Sequence, residues 1–171
     1  MTVRIGLVSD THISKKDITE LPPQVIDAFA GVELILHGGD IYLLEVLDEL
    51  EAIAPVLAAR GNGDIWLPED PRLKESQVLN IDGVSIGLTH SLDYPEPVWR
   101  SFEAAMKSEF GGRVDIFIFG GSHKAMVETY KGVLLVNPGS PTLPLGFRRL
   151  GTIGILEISQ GRAEAHIVPL G

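Results

Sequence analysis

The chain has 171 residues, of which 44% are hydrophobic and 22% are charged, a length and composition typical of one globular domain rather than a disordered protein. Its 14 Lys and Arg residues against 23 Asp and Glu residues leave a net charge of -9, which argues against binding to long nucleic acids or anionic membranes, because both require a basic face. Cysteine is absent, which excludes disulfides, thiolate metal sites and cysteine nucleophiles.

The first part of the chain alternates short apolar runs with a helical pattern. Apolar runs over 3–9, 32–36 and 55–59 predict buried strands. Leucines at helical spacing, with acidic residues mostly opposite them, predict an amphipathic helix over 41–52. The alternation of strands and helices favours an α/β fold.

The middle of the chain changes to an antiparallel pattern. Asp82-Gly83 stands between apolar runs over 77–81 and 84–89, and this dipeptide is the strongest short-range signal for a β-hairpin. A helix is predicted over 95–110, ended by two glycines that provide its C-cap. The predicted buried face of this helix consists of Val98, Phe102, Ala105 and Met106.

The remaining part of the chain is mostly β. Strands are predicted over 114–119, 125–130, 133–136, 152–158 and 163–168, with turns at Lys131-Gly132 and Gln160-Gly161. No linker or internal repeat divides the sequence. The pattern therefore predicts one α/β domain, residues 1–171, with sheet layers inside and helices outside.

Metal-ligating side chains follow several of the predicted strands where each strand ends. They are Asp10, His12, Asp40, Asn62, His90 and His123. Because sites form at the carboxyl ends of strands in α/β sheets, we expect these side chains to converge on one pocket. Imidazole, carboxylate and amide donors suit manganese, iron or zinc in a mixed nitrogen and oxygen shell. On extended chain, Asp10 and His12 point to the same side, about 6.5 to 7 Å apart at Cα.

Each of these residues also has a structural interpretation. The Asp-x-His pair could cap a strand end, and Asp40 could be the N-cap of the helix predicted at 41. Asn62 lies between two glycines and could be an ordinary turn residue. His90 could be a buried histidine of the core. Outside the set, His37 either orients a ligand or serves the fold alone.

Five motifs resemble, in the same order, the sequence blocks of calcineurin-like metallophosphoesterases. They are Ser9-Asp10-Thr11-His12, His37-Gly38-Gly39-Asp40, Gly61-Asn62-Gly63-Asp64, Thr89-His90-Ser91 and Gly120-Gly121-Ser122-His123. Five blocks in order are specific, whereas one block alone is weak. The small size and the Asn137-Pro138-Gly139-Ser140 element are most similar to the small bacterial and archaeal phosphodiesterase branch related to Vps29. The resemblance implies a layered αββα sandwich, in which two mixed sheets pack face to face with helices outside.

The resemblance also implies a metal-dependent phosphoesterase, and within that class a phosphodiesterase. Two divalent ions are expected, with manganese as the first choice and Fe, Zn, Ni or Mg as alternatives. The first ion would be held by Asp10, His12 and His123, and the second by Asn62 and His90, with Asp40 bridging both. A hydroxide between the ions would attack the phosphoryl group, so that Asp40, Asn62 and His90 are the expected catalytic residues.

Two departures from the family pattern weaken the expected activity. Gly121 stands where the family has a further histidine ligand, so the second ion lacks one donor. Gly63 stands where the family has a protonatable residue, and general acid catalysis contributes about 10²- to 10⁴-fold. An enzyme restricted to activated esters, such as aryl phosphodiesters, is therefore expected. The alternative is a catalytically weak or inactive metal-binding scaffold that resembles Vps29.

The sequence also indicates where the protein is located and what it binds. The sequence begins without a signal-peptide pattern and has no run of 18 apolar residues, so a cytoplasmic protein without a membrane span is expected. The expected partner is a small phosphate ester rather than a long nucleic acid or a membrane. A homo-oligomer is left open.

Overall fold

Eleven strands and three helices form the computed structural model, which describes residues 1–16, 18 and 20–171. The strands are β1 (Val3–Val8), β2 (Leu34–His37), β3 (Val56–Ala59), β4 (Leu73–Lys74), β5 (Ser76–Ile81), β6 (Val84–Thr89), β7 (Ile116–Ile118), β8 (Met126–Tyr130), β9 (Val133–Asn137), β10 (Thr152–Ser159) and β11 (Arg162–Pro169). The helices are α1 (Pro23–Ala28), α2 (Glu45–Glu51) and α3 (Phe102–Phe110), with short 3-10 turns at Asn62–Asp64 and Pro144–Gly146.

The strands form two mixed sheets. The first sheet has six strands in the order β11-β10-β1-β2-β3-β4, and the second has five in the order β5-β6-β7-β9-β8. β1 to β4 run parallel to one another, whereas β10 is antiparallel to both β1 and β11. In the second sheet β6, β7 and β9 are parallel, and β5 and β8 are antiparallel edges. The carboxyl ends of the central strands therefore point to one end of each sheet.

Apolar side chains from both sheets fill the space between them. Leu7 of β1 and Leu36 of β2 pack in the same buried cluster as Ile86 of β6 and Ile118 of β7. Two further clusters lie on the outer faces, one between the first sheet and helices α1 and α2, the other between the second sheet and α3. The layers follow the order αββα, which confirms the predicted sandwich. Strands buried on both faces explain why their sequences are continuously apolar.

The predicted turns and strands are found close to their predicted positions. Asp82 and Gly83 have φ angles of 51° and 80°, the left-handed pair that a type I′ hairpin turn requires. Helix α3 ends at Gly111, whose φ of 78° is also left-handed, as the C-cap prediction demands.

The helices differ from prediction in extent. α2 begins at Glu45 and its N-cap position is Leu44, so the interpretation of Asp40 as the cap of a helix starting at 41 is wrong. α3 begins only after Ser101, whose Oγ accepts the Ala104 N–H at 3.1 Å. Val98 lies before this cap and is exposed, so its predicted place on the buried helix face is wrong.

Helix α1 and strand β4 were not predicted. α1 has six residues and buries only Val25, so it is too short to give a clear periodic pattern. None of the helices in the described part of the chain has the length and apolarity that a membrane span needs.

Candidate metal centre

The side chains expected to bind metal lie on loops that follow strands of both sheets. Asp10 and His12 follow β1, and Asp40 follows β2. His90 comes directly after β6, and His123 lies in the loop after β7. The parallel arrangement of β1 with β2, and of β6 with β7, places these loops at one end of the sandwich. The two sheets therefore contribute to one site.

Four of the side chains form a tight cluster. Asp10, His12, Asp40 and His123 each offer one ligand atom, and these atoms all lie within 4.8 Å of one another. His12 Nε2 is 3.5 Å from Asp40 Oδ2 and 3.9 Å from Asp10 Oδ1. His123 Nε2 is 3.4 Å from Asp10 Oδ1. Two carboxylates and two imidazoles at this spacing have the donor chemistry of a divalent metal site.

The remaining two predicted residues lie beside this cluster. His90 Nε2 is 3.6 Å from Asp40 Oδ2, so the Asp40 carboxylate lies between His90 and His12. Asn62 is the first residue of a 3-10 turn and is exposed. Its side chain lines, with Asp40 and His90, the wall of an adjoining groove. Asp40 is thus the residue that connects the two groups of donors.

Backbone carbonyls determine which ring nitrogen of two histidines faces the cluster. His123 Nδ1 lies 2.9 Å from the carbonyl oxygen of Leu143, and His90 Nδ1 lies 2.7 Å from that of Gly38. A carbonyl only accepts, so Nδ1 carries the proton and, in the neutral ring, Nε2 presents a lone pair. These lone pairs point at carboxylate oxygens, an arrangement that requires a proton or a cation between them. The donor set therefore fits a metal ion.

The charge of Asp10 is stabilised despite its complete burial. Burial opposes ionisation, but hydrogen bonding with His12, His123 and Ser9 outweighs it and holds the pKa of Asp10 well below its usual value. The hydrogen bond with Asp10 in turn raises the pKa of His123. The Gly121 N–H also donates to Asp10 Oδ2 at 2.9 Å. A buried aspartate that stays ionised is suited to binding a cation.

His37 is buried, and its ring hydrogen-bonds to residues next to the metal-ligating side chains. The Gly39 N–H donates to its Nδ1 at 3.0 Å, so its Nε2–H is left to donate to Thr11 Oγ1 at 3.1 Å. Burial lowers the pKa of His37 to about 3, so the ring is neutral near pH 7. These contacts agree with both interpretations of His37: that it orients a ligand, and that its role is structural only.

The backbone of the cluster is left-handed throughout. Asp10, His12, Asp40 and His123 have φ angles of 55°, 47°, 57° and 57°. The prediction that Asp10 and His12 lie on extended chain is therefore wrong, because β1 ends at Val8. Their side chains meet for a different reason, the left-handed turn after the strand. Non-glycine residues in this region cost of order 1 to 3 kcal/mol each and are concentrated at functional sites.

Asp64 holds the Asp40 loop in this conformation. Its buried carboxylate accepts the backbone N–H groups of Asp40, Ile41, Tyr42 and Gly61 at 2.8 to 2.9 Å. No role was predicted for Asp64, although it is the last residue of the Gly-Asn-Gly-Asp motif. Its place in that motif could have identified it as a functional residue.

Two hydroxyl groups fix the Asp10 loop from a distant segment. Ser140 Oγ donates to the carbonyl oxygen of Asp10, and Thr142 Oγ1 donates to that of Thr11, both at 2.7 Å. Both side chains are buried. Sequence analysis named the Asn-Pro-Gly-Ser element but not this contact, because 130 residues separate Ser140 from Asp10.

Gly121 and Gly63, the two positions where the resemblance implies a side chain, face different surroundings. A Cβ at Gly121 would lie 3.6 Å from His90 Nε2, so a ligand at this position would point toward the second group of donors. A Cβ at Gly63 would overlap Cε1 of Tyr42. The Tyr42 ring, which packs edge-on against His12 with centroids 4.6 Å apart, therefore occupies the side-chain space of position 63.

Comparison with known proteins agrees with this geometry. A family model described as a calcineurin-like phosphoesterase superfamily domain matches residues 3–161. A probable metallophosphoesterase of Methanothermobacter thermautotrophicus is 36% identical over 170 residues, covering 98% of this chain and 92% of that protein. A phosphodiesterase of Methanocaldococcus jannaschii is 31% identical over 168 residues, covering 91% and 93% respectively. The crystal structure of Vps29 from Entamoeba histolytica complexed with Zn²⁺ has a TM-score of 0.70 and 23% identity, covering 99% of this chain and all of that one; it shows a shared fold.

Proposed function

The chain belongs to the calcineurin-like phosphoesterase superfamily, and we propose that it is a metal-dependent phosphodiesterase acting on small phosphate esters. The observation that carries the proposal is the grouping of two carboxylates and two imidazoles within 4.8 Å. The sequence relative named a phosphodiesterase supports a diester as the substrate.

In this proposal the six predicted residues divide between two ions. Asp10, His12 and His123 would hold the first ion, and Asn62 and His90 would hold the second. Asp40 would contribute to both sites, since its carboxylate faces both His12 and His90. When bound, two divalent ions, with manganese as the first choice, supply a Lewis acid for the phosphoryl oxygens and lower the pKa of water.

The protein's own contribution is to fix the donors before substrate binds. The carbonyl oxygens of Leu143 and Gly38 orient the rings of His123 and His90. Asp64 and Ser140 fix the loops that carry Asp40 and Asp10. Donors held in place by other side chains need little rearrangement during the reaction, which is the main source of electrostatic catalysis.

The leaving group receives no proton from position 63. Gly63 has no side chain, and the Tyr42 ring fills the space that one would need. Loss of a general acid costs about 10²- to 10⁴-fold for a poor leaving group and much less for an activated one. We therefore propose that aryl phosphodiesters are hydrolysed better than dialkyl ones.

Hydrolysis of an aryl phosphodiester tests the proposed function. We expect turnover with Mn²⁺, compared against Mg²⁺ and Zn²⁺, and loss of turnover in chelator. Asp40→Asn removes the bridging charge and should lower kcat by at least about a hundredfold. Asp27→Asn, an exposed aspartate on α1, is the matched control and should leave kcat unchanged. Turnover that survives chelator or Asp40→Asn would refute the proposal.

The missing donor at Gly121 favours a second candidate, a metal-stabilised scaffold without activity. Metal titration separates the two functions. Two ions per chain together with hydrolysis support the enzyme, whereas one ion per chain without hydrolysis supports the scaffold. Gly121→His gives a further check. The left-handed φ of 83° at this position opposes a side chain, but an added imidazole facing His90 should tighten binding of the second ion in protein that thermal unfolding shows to be folded.

A further inference from the structure

An open groove of about 610 Å³ adjoins the candidate metal centre. Its lining includes Asp40, Asn62 and His90 of the candidate centre. It also includes residues of the loop after β6 and of strand β8, among them Leu92, Tyr94 and Met126. The volume is in the range of pockets that bind small molecules, and an apolar wall beside a few polar groups is their usual composition.

The apolar wall is held in a fixed position. The Tyr94 hydroxyl donates to Glu128 Oε1 at 2.5 Å, and its ring meets that of Tyr130 edge-on with centroids 5.4 Å apart. Leu92 and Met126 pack against the buried cluster beneath α3. An aromatic ring and a thioether on a rigid surface favour an aromatic ligand, through ring–ring and sulfur–ring contacts.

One cation of the groove, Lys124, forms no ion pair within the part of the chain that the structure describes. The residue is exposed where it lines the groove. A phosphodiester carries one negative charge. An unpaired lysine in a protein of net charge -9 is therefore suited to attract the ester into the groove.

We propose that this groove is the subsite for an aromatic substituent of the phosphate ester, which binds against Tyr94 and Met126 while the phosphoryl group lies at the metal centre. The inference rests on the proposed function, because it places the phosphoryl group at the same ligands. It adds the substrate class: an ester that bears a planar aromatic group, either joined directly to phosphorus through oxygen or carried as a base on a sugar.

Calorimetric binding of two phosphonates and two phosphate monoesters to the Mn²⁺-loaded protein tests the subsite without relying on turnover, once assay for free phosphate shows that the monoesters stay intact. Phenylphosphonate is compared with methylphosphonate, and a nucleoside 5′-monophosphate with ribose 5-phosphate. Each pair shares its anionic group and differs in the aromatic ring. Burial of the ring in the groove should make the aromatic member of at least one pair roughly tenfold tighter. The pair that shows the preference identifies how the ring is attached.

Substitutions in the apolar wall of the groove test whether the preference for aromatic ligands arises there. Tyr94→Ala and Met126→Ala should each reduce the ratio of affinities by roughly threefold or more. Tyr94→Phe keeps the ring and should keep the ratio. Val98→Ala, an exposed apolar residue outside the groove, is the matched control and should change nothing. Two independent wall positions guard against a variant that fails to fold, which thermal unfolding detects.

The outcomes separate this inference from the proposed function. Equal affinities within both pairs, or a preference that neither wall substitution reduces, overturn the subsite even if hydrolysis is observed. An aromatic preference that depends on the wall, in a protein without hydrolysis, supports the subsite and rejects the enzyme. Failure of all four ligands to bind overturns the subsite as well.

Discussion

At the residue scale, Tyr42 and position 63 compete for the same space beside His12. Tyr42 has a left-handed φ of 71°, which turns its ring into the volume that a side chain at 63 would occupy. The absence of a side chain at position 63 and the placement of the Tyr42 ring are therefore structurally coupled.

Because positions 42 and 63 are coupled, the effects of their substitution on stability should not be additive. Gly63→His alone should destabilise the protein by roughly 1 to 3 kcal/mol, because the new side chain overlaps the Tyr42 ring. With Tyr42→Ala in addition, the histidine has room, and the double variant should be more stable than the sum of the single changes indicates. Urea unfolding of the four proteins measures this. If the free-energy changes of the two single variants add up to that of the double variant, the two side chains do not compete for the same space.

His37 predicts a pH dependence of stability. Its pKa is about 3 in the folded protein against an ordinary value of 6.5, so the unfolded chain binds a proton more readily between these values. The stabilisation is complete above pH 6.5 and is lost as pH falls toward 3, by up to about 1.4 kcal/mol per pH unit.

Unfolding in chelator at pH 6.5 and pH 5 checks this prediction. The wild type should lose about 2 kcal/mol more than His37→Gln over this interval. The raised pKa of His123 acts in the opposite direction, but it contributes to both proteins and cancels in the comparison. Equal losses in the two proteins would mean that His37 titrates normally in the fold.

The residues of the site could be predicted because each donor type follows an apolar run within a recognisable motif. Their backbone conformation could not be. The left-handed φ of Asp10 and His12 depends on hydrogen bonds to Gly39 and Asp40 in another loop. Tyr42 lies outside every motif, and nothing local indicates where its ring points.

At the scale of elements, the loop between β2 and α2 is shaped by one distant carboxylate. Asp64 lies 22 to 24 residues beyond the backbone groups at 40 to 42 that it binds. Those residues have the composition of a helix start, and the carboxylate holds them out of the helix. The hairpin at Asp82-Gly83, by contrast, was predictable because its turn depends on those two residues alone.

Asp64→Asn should therefore loosen the loop and the candidate centre together. An amide has one acceptor oxygen where the carboxylate has two, so buried N–H groups lose partners, at roughly 2 to 4 kcal/mol. Affinity for Mn²⁺ should fall as well, because Asp40 is on that loop. Thermal unfolding and metal titration measure the two effects.

Asp115→Asn is the matched control for this change. Asp115 also accepts hydrogen bonds, from the N–H and Oγ of Ser85 at 2.8 and 2.7 Å, but it is exposed and away from the metal centre. Its substitution should destabilise less and leave metal affinity unchanged. Equal effects of the two changes on metal affinity would show that Asp64 has no special role.

At the scale of the whole molecule, the candidate centre joins the two sheets. Its donors come from loops of the first sheet, at Asp10, His12 and Asp40, and of the second, at His90 and His123. The pattern of apolar runs predicted one α/β domain with sheets inside and helices outside, and the family resemblance predicted the αββα layers, but neither predicted the strand order. That β10 pairs with β1 depends on contacts across almost the whole chain.

Metal removal should lower the stability of the entire fold. We propose that the chain is a single domain, since one apolar cluster is shared by both sheets, and therefore expect one unfolding transition. At a hundredfold excess over Kd, an ion that binds only the folded state adds about 2.7 kcal/mol. For a chain of this size that corresponds to roughly 5 to 10 °C in Tm.

Calorimetry with Mn²⁺ and with chelator measures this difference. Asp40→Asn should lose most of the shift, whereas Asp27→Asn should retain it. An unchanged Tm on metal removal would show that the cluster does not bind an ion tightly. Two separate transitions would contradict the single-domain proposal.

The hydroxyl groups of Ser140 and Thr142, which hold the carbonyls of Asp10 and Thr11, have a consequence for biosynthesis. A ribosome makes the Asp10 segment first and its supports more than a hundred residues later, as the hydrogen-bond separation of 130 residues shows. While the nascent chain still lacks these supports and β10, the first motif has only its early contacts, such as the hydrogen bonds to Gly39 and Asp40. If the cluster binds a metal ion, we therefore expect uptake of the ion late in synthesis or after release of the chain.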